Sequence, residues 1–142
     1  MSLSQKTIDT VKATAAPVAA NAEAITTRMY EILFSDFPEV EVLFENGDPQ
    51  QHKKLAGAIS AYAANIDKLD VLTLAIEKMA TTHVKRKILP EHYPMVGVSI
   101  LKAIKDVLGD AATEEVLDAW KEAYFFLADV LIAREKELYA TA

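Results

Sequence analysis

Apolar side chains recur along this chain at spacings of three and four residues, and no run alternates convincingly with period two, so the pattern predicts an all-α protein. The clearest stripe lies in VLTLAIEKMATTHVKRK. There Leu72, Ile76, Met79 and His83 follow at spacings of four, three and four, giving a helix face that is apolar and ends in an imidazole. A second stripe, Val116, Trp120, Ala123, Leu127, Leu131, Glu135 and Leu138, keeps one face of a long last helix inward and puts a carboxylate on it. A third face joins Gln51, Leu55, Ile59, Tyr62 and Ile66. Stripes that carry an imidazole, an amide and a carboxylate among apolar groups are built to line a cavity as well as a core.

Breakers divide the pattern into elements. Ser2 and Gln5 are spaced as a capping box for a first helix, which Pro17 should end or bend because an interior proline loses a hydrogen bond and crowds the preceding turn. Asn21 can cap the next helix, which runs to about Phe34. Pro38 opens a short helix ending near Phe44, and the ENGD turn leads to Asp48 as cap, with Pro49 in the first turn of a helix reaching about Ile66. The His83 helix follows NIDKLD. Pro90 stops its simple continuation, Pro94 suits the first turn of the next helix, Gly109 closes that one, and Asp110 or Thr113 caps the last. No repeat, low-complexity tract or linker interrupts this series, so residues 1–142 are expected to form a single domain.

At 142 residues, one domain of this size buries roughly two thirds of its unfolded surface. A net charge of −6 argues against a nucleic-acid partner, which would call for a basic patch or stripe. The longest strongly apolar stretch, AYFFLADVLIA, is too short for a membrane span and carries Asp129, so no membrane insertion is expected. The N-terminus lacks the basic and apolar regions of an export signal, and with no cysteine a reducing cytoplasm is permitted; a cytoplasmic protein is the expectation. Homodimer formation is left open by the composition.

Among candidate residues, His83 could be a core histidine bonded to a carbonyl, or an imidazole placed to hold iron. Glu135 on the inward stripe needs a hydrogen-bonded partner if buried; the plainer reading is a solvated carboxylate near a frayed end, with Arg134 alongside. Tyr30, in MYEILF, reads plainly as a core tyrosine with its hydroxyl at the surface. Gln51, and not His52, shares the inward face with Leu55, since four residues beyond His52 stands Ala56; Gln51 could instead close a capping box with Asp48. His52 and His92 are read as solvated.

Several separated segments, in order, carry a family resemblance: TIDTVKAT, MYEILFSDFPEVEVLF, AYAANIDKL, HYPMVG, IKDVLGDAA and VLDAWKEAY, around His83. In these the chain resembles the globins, and within them the globin domain of flavohaemoglobins and its single-domain bacterial relatives. It departs from them in a shorter stretch from Phe44 to Gln51, and in Lys121 and Phe125, where the family usually has glycines; both bear on local pocket shape.

The resemblance implies a globin fold around non-covalent haem b (iron protoporphyrin IX), with His83 as the iron ligand. It implies that Tyr93 and Glu135 form a hydrogen-bonded set with His83 that makes the imidazole more basic. Tyr30 and Gln51 would donate hydrogen bonds to bound dioxygen, Phe44 would lie against the haem plane and Leu55 over the iron. Ile59, Met79, Ile88, Val96 and Ile100 would complete the haem contacts. Dioxygen, nitric oxide and carbon monoxide are the expected ligands. The activity implied is conversion of nitric oxide and dioxygen to nitrate, which requires electrons from a separate reductase. A reversible oxygen carrier, delivery or sensing protein is the alternative, and a haem-free helical interaction domain is a third possibility.

Overall fold

In the computed structural model, residues 3–44 and 51–141 are described, and side chains are described for 3–41 and 53–141. Six α-helices occur among them, α1 (Gln5–Ala20), α2 (Ala22–Asp36), α3 (Gln51–Ala64), α4 (Thr73–Lys85), α5 (Tyr93–Leu108) and α6 (Glu114–Thr141), joined in part by 3₁₀ turns and with no strand among the described residues. The all-α expectation holds. The anticipated turn at ENGD, with Asp48 and Pro49, and the Ser2 cap lie outside the described residues.

Local chemistry at the helix ends differs from the sequence reading in two places. Ser4 caps α1, its Oγ accepting from the Thr7 N–H at 3.2 Å, and Ser4 N–H and the Thr7 hydroxyl both donate to Glu122 of α6, at 3.0 and 2.8 Å. Pro17 does not end α1, which continues to Ala20. The proline has no N–H to donate to the Ala13 carbonyl, yet the helix runs on past it to the Asn21 cap, whose N–H and side-chain amide both donate to the Pro17 carbonyl, at 3.2 and 2.8 Å. Asn21 therefore closes α1 and makes no side-chain cap to α2. Thr113 rather than Asp110 caps α6, accepting from the Val116 N–H at 3.3 Å, and Gly109 closes α5 at φ 59°.

The centre of the molecule is filled by Val11 and Val18 of α1, Ile25, Met29 and Leu33 of α2, Ile66 after α3, and Ile104 of α5, all almost wholly buried. α2 packs across α5 and α3, and α1 across α6 and α3. Trp120 ties α6 to α1 by donating its indole N–H to Thr14 at 2.9 Å. Gly97 lets Tyr124 of α6 lie against α5, since a Cβ there would stand 2.8 Å from the Tyr124 ring. α4 packs principally on α6, through a seam of Ala80 against Ala128 and Leu131, and its other flank faces a cleft.

Candidate functional site

Where α4, α5 and α6 meet, three polar side chains from distant parts of the chain close a triangle. His83 Nδ1 is 2.9 Å from Glu135 Oε2 and 2.9 Å from the Tyr93 hydroxyl, which donates to both Glu135 oxygens at 2.8 and 2.7 Å. Glu135 is 3% exposed, so the reading of it as a solvated terminal residue is overturned. Burial first, and then the hydrogen bond to Glu135, hold the Tyr93 phenol well above its usual range, so it remains a donor. With a Glu135 oxygen accepting, a ring proton lies on Nδ1, and in the neutral imidazole the lone pair is then on Nε2. A histidine held this way has its second nitrogen free for a metal.

The backbone around the triangle is pinned as well. Tyr124 donates to the Tyr93 carbonyl at 2.7 Å, and Tyr139 to the Ile88 carbonyl at 2.6 Å. Both ties fix the segment between α4 and α5 against α6. His92 is not merely solvated: its Nδ1 accepts from the Leu89 N–H at 2.9 Å and caps the 3₁₀ turn Pro90–His92.

Beside the triangle lies an apolar cleft. Leu55, Ile59 and Tyr62 of α3 face Leu72, Ile76 and Met79 of the α4 region; Val96, Ile100 and Ile104 of α5 and Trp120, Tyr124 and Leu127 of α6 form its floor. Its interior holds about 130 Å³, and the cleft opens to solvent as a slot along one side. The hydroxyls of Tyr62 and Tyr124 are turned to backbone carbonyls, that of Tyr62 donating to Ala123 at 2.7 Å. His83 follows Met79 by one helical turn and stands at the end of this wall, not among the lining residues.

Of the residues singled out from the sequence, Leu55, Ile59, Met79, Val96 and Ile100 line the cleft, and His83, Tyr93 and Glu135 meet beside it. Tyr30 and Ile88 are not in the lining. Tyr30 is half-buried next to Met29, its ring 5.7 Å from that of Phe34. Ile88 packs with Tyr93 and Leu131 on the α4–α6 side. The side chains of Phe44, Gln51 and His52 lie outside the described residues; Gln51 opens α3, one turn ahead of Leu55. Met29, Leu101 and Tyr124 also line the cleft and were not singled out; Tyr124 could have been found three residues before Leu127 on the α6 stripe.

The donor set tests what could be held here. Among the described residues no group of three His, Asp or Glu side chains could hold a bare metal ion, so a metal at His83 must bring its other ligands with it. A planar chelate with an apolar rim meets that condition, and the residues present fit haem.

The Globin family profile matches residues 27–131. A flavohemoprotein of Rhodopirellula baltica is 51% identical over 140 residues, which are 96% of this chain and 34% of that protein, so the chain spans 34% of that relative's length. Among solved structures, the chain is similar to an engineered carbene transferase from Rhodothermus marinus assigned as a nitric oxide dioxygenase. The TM-score is 0.94 and the identity 41%, with 99% of this chain and 98% of that one covered. It is also similar to the flavohemoglobin of Malassezia yamatoensis with bound FAD and heme, at a TM-score of 0.79 and 26% identity over 99% of this chain and 38% of that one.

Proposed function

This chain belongs to the globin family, and on that premise we propose that it holds haem b in the cleft, with His83 as the iron ligand, and turns nitric oxide and dioxygen into nitrate. The observation that carries the reading is the buried Tyr93–His83–Glu135 triangle at the end of an apolar slot. Bound there, haem would supply an iron centre able to take up dioxygen and change oxidation state. Glu135, by accepting from Nδ1, makes the imidazole a stronger electron donor and favours oxygen activation over storage. Tyr93 keeps the carboxylate oriented, and its pinned carbonyl holds Tyr93 itself in place. Leu55, Ile59, Met79, Val96 and Ile100 exclude water. The family resemblance adds Phe44 and Ile88 as apolar contacts and Tyr30 and Gln51 as hydrogen-bond donors to ligand. The electrons come from a reductase, and carbon monoxide competes for the same site. Among the described residues no helix is long and apolar enough to cross a membrane.

Reversible oxygen carriage is the second reading, favoured by the position of Tyr30 outside the cleft lining. One experiment separates the two. The haem-loaded protein, supplied with dioxygen and an excess of a reductant, is expected to convert many equivalents of nitric oxide to nitrate per haem. A single equivalent, the reaction any oxygenated ferrous haem undergoes, would leave the carrier. In the same preparation Tyr30→Phe is expected to release dioxygen about 10- to 100-fold faster, the effect of one strong hydrogen bond lost. An unchanged rate would remove Tyr30 from the ligand's surroundings.

A further inference from the structure

α6 grips α4 with two adjacent residues. Glu135 reaches His83, and Arg134 reaches Glu77 with both arms of its fork, Nε to Oε2 at 2.7 Å and Nη2 to Oε1 at 2.8 Å. The remaining arm, Nη1, donates to Glu137 at 2.8 Å, so the guanidinium is held from both sides. Planar bidentate pairing of this kind fixes direction as well as distance.

On α4 the two gripped residues stand three positions before and three after Ala80, which is fully buried against α6. Helix geometry therefore places them about 60° to either side of the seam and about 9 Å apart along the axis. The seam between them joins Ala80 to Ala128 and Leu131 and is wholly apolar, so it sets no direction by hydrogen bonding. The flank of α4 on the His83 side of the seam, with Ala75, Ile76 and Met79, faces the apolar slot, whose lining offers α4 no charged partner. Rotation of α4 about its axis would be opposed by this packing and, on either side of it, by the two directional polar contacts, and it would swing Nε2 of His83 relative to the slot.

We infer that the Glu77–Arg134 pair is a positioning device for His83: it sets the rotation of α4 and thereby the direction of the Nε2 lone pair. The inference rests on the reading of His83 as the iron ligand. Arg134 and Glu77 are 39% and 44% exposed, and an ion pair so exposed contributes little to stability, which separates a geometric role from a structural one.

The test uses the full chain loaded with haem, in the ferrous ligand-free state, and reads the iron–histidine stretching band by resonance Raman alongside the thermal midpoint. Arg134→Leu and Glu77→Gln are each expected to shift the band downward and broaden it, because a turned imidazole donates less well to Glu135. The midpoint should stay nearly unchanged. The double variant should shift the band no further than either single one, as for two residues acting through one contact. Arg134→Lys, which keeps the charge and loses the fork, should fall between, and it supplies the test if Arg134→Leu does not fold. A band present in the wild type and unmoved by the variants would overturn the inference alone. Bound haem with no such band in the wild type would overturn the ligand assignment, and the inference with it.

Discussion

Replacement of Glu135 by alanine is expected to lower the unfolding free energy of the haem-free protein by about 2–4 kcal/mol. The carboxylate accepts from Tyr93 and His83 in a place that is 3% exposed. Without it the two donors can turn to each other, since the phenol oxygen and Nδ1 are already 2.9 Å apart. Three bonds to the carboxylate then become one, a donor is left without an acceptor in a dry site, and the lost side chain leaves a void. Glu135→Gln keeps an acceptor of the same shape and should lose about half as much. Urea unfolding at constant denaturant slope measures both variants. A loss in the alanine variant no larger than that of an exposed substitution would mean that the carboxylate is not engaged in solution.

The second large effect is expected at high pH. Burial holds the phenols of Tyr62, Tyr93 and Tyr124 above their usual range, with Glu135 adding to the shift at Tyr93. A group whose pKa is raised in the fold contributes stability that is complete below the unfolded value, about 10 for tyrosine, and is lost as pH rises toward the folded value. Each of these phenols should therefore remove about 1.4 kcal/mol per pH unit above that point. The three together approach the whole stability of an ordinary domain, about 5–15 kcal/mol, within a few units. Tyrosinate absorbance should then rise together with loss of helix in a single cooperative step. Smooth titration of all tyrosines near pH 10, with the fold intact, would contradict the burial of these hydroxyls.

The parts of the site that follow from one helix face were legible in the sequence. Met79 and His83 belong to one stripe, Leu55 and Ile59 to another, and Glu135 stood out because a carboxylate had no reason to be on an inward face without a partner. The family resemblance supplied that partner, and the geometry brings Tyr93, His83 and Glu135 together. Features that depend on pairs far apart were not legible. Arg134 and Glu77 are 57 positions apart, and either is an ordinary charged residue on an amphipathic helix until the packing of α4 on α6 is known. The ties from Tyr124 and Tyr139 run to backbone carbonyls, which leave no trace in side-chain patterns. The continuation of α1 past Pro17 was not legible for a different reason: one lost hydrogen bond is a local cost, and Val18 just beyond it is wholly buried in the core, so tertiary packing carries the helix on to Ala20.

The most direct test of the account is the absorption spectrum of the purified protein supplied with haem, in ferric, ferrous, oxygenated and carbon monoxide forms, next to that of His83→Ala. The wild type is expected to take up haem and to show an intense Soret band that shifts with each ligand. In the variant the band should be lost, or should return only when free imidazole is added to replace the missing side chain. A wild type that takes up no haem, or a variant whose spectra match the wild type in all four forms, would contradict the assignment of His83 and the function built on it.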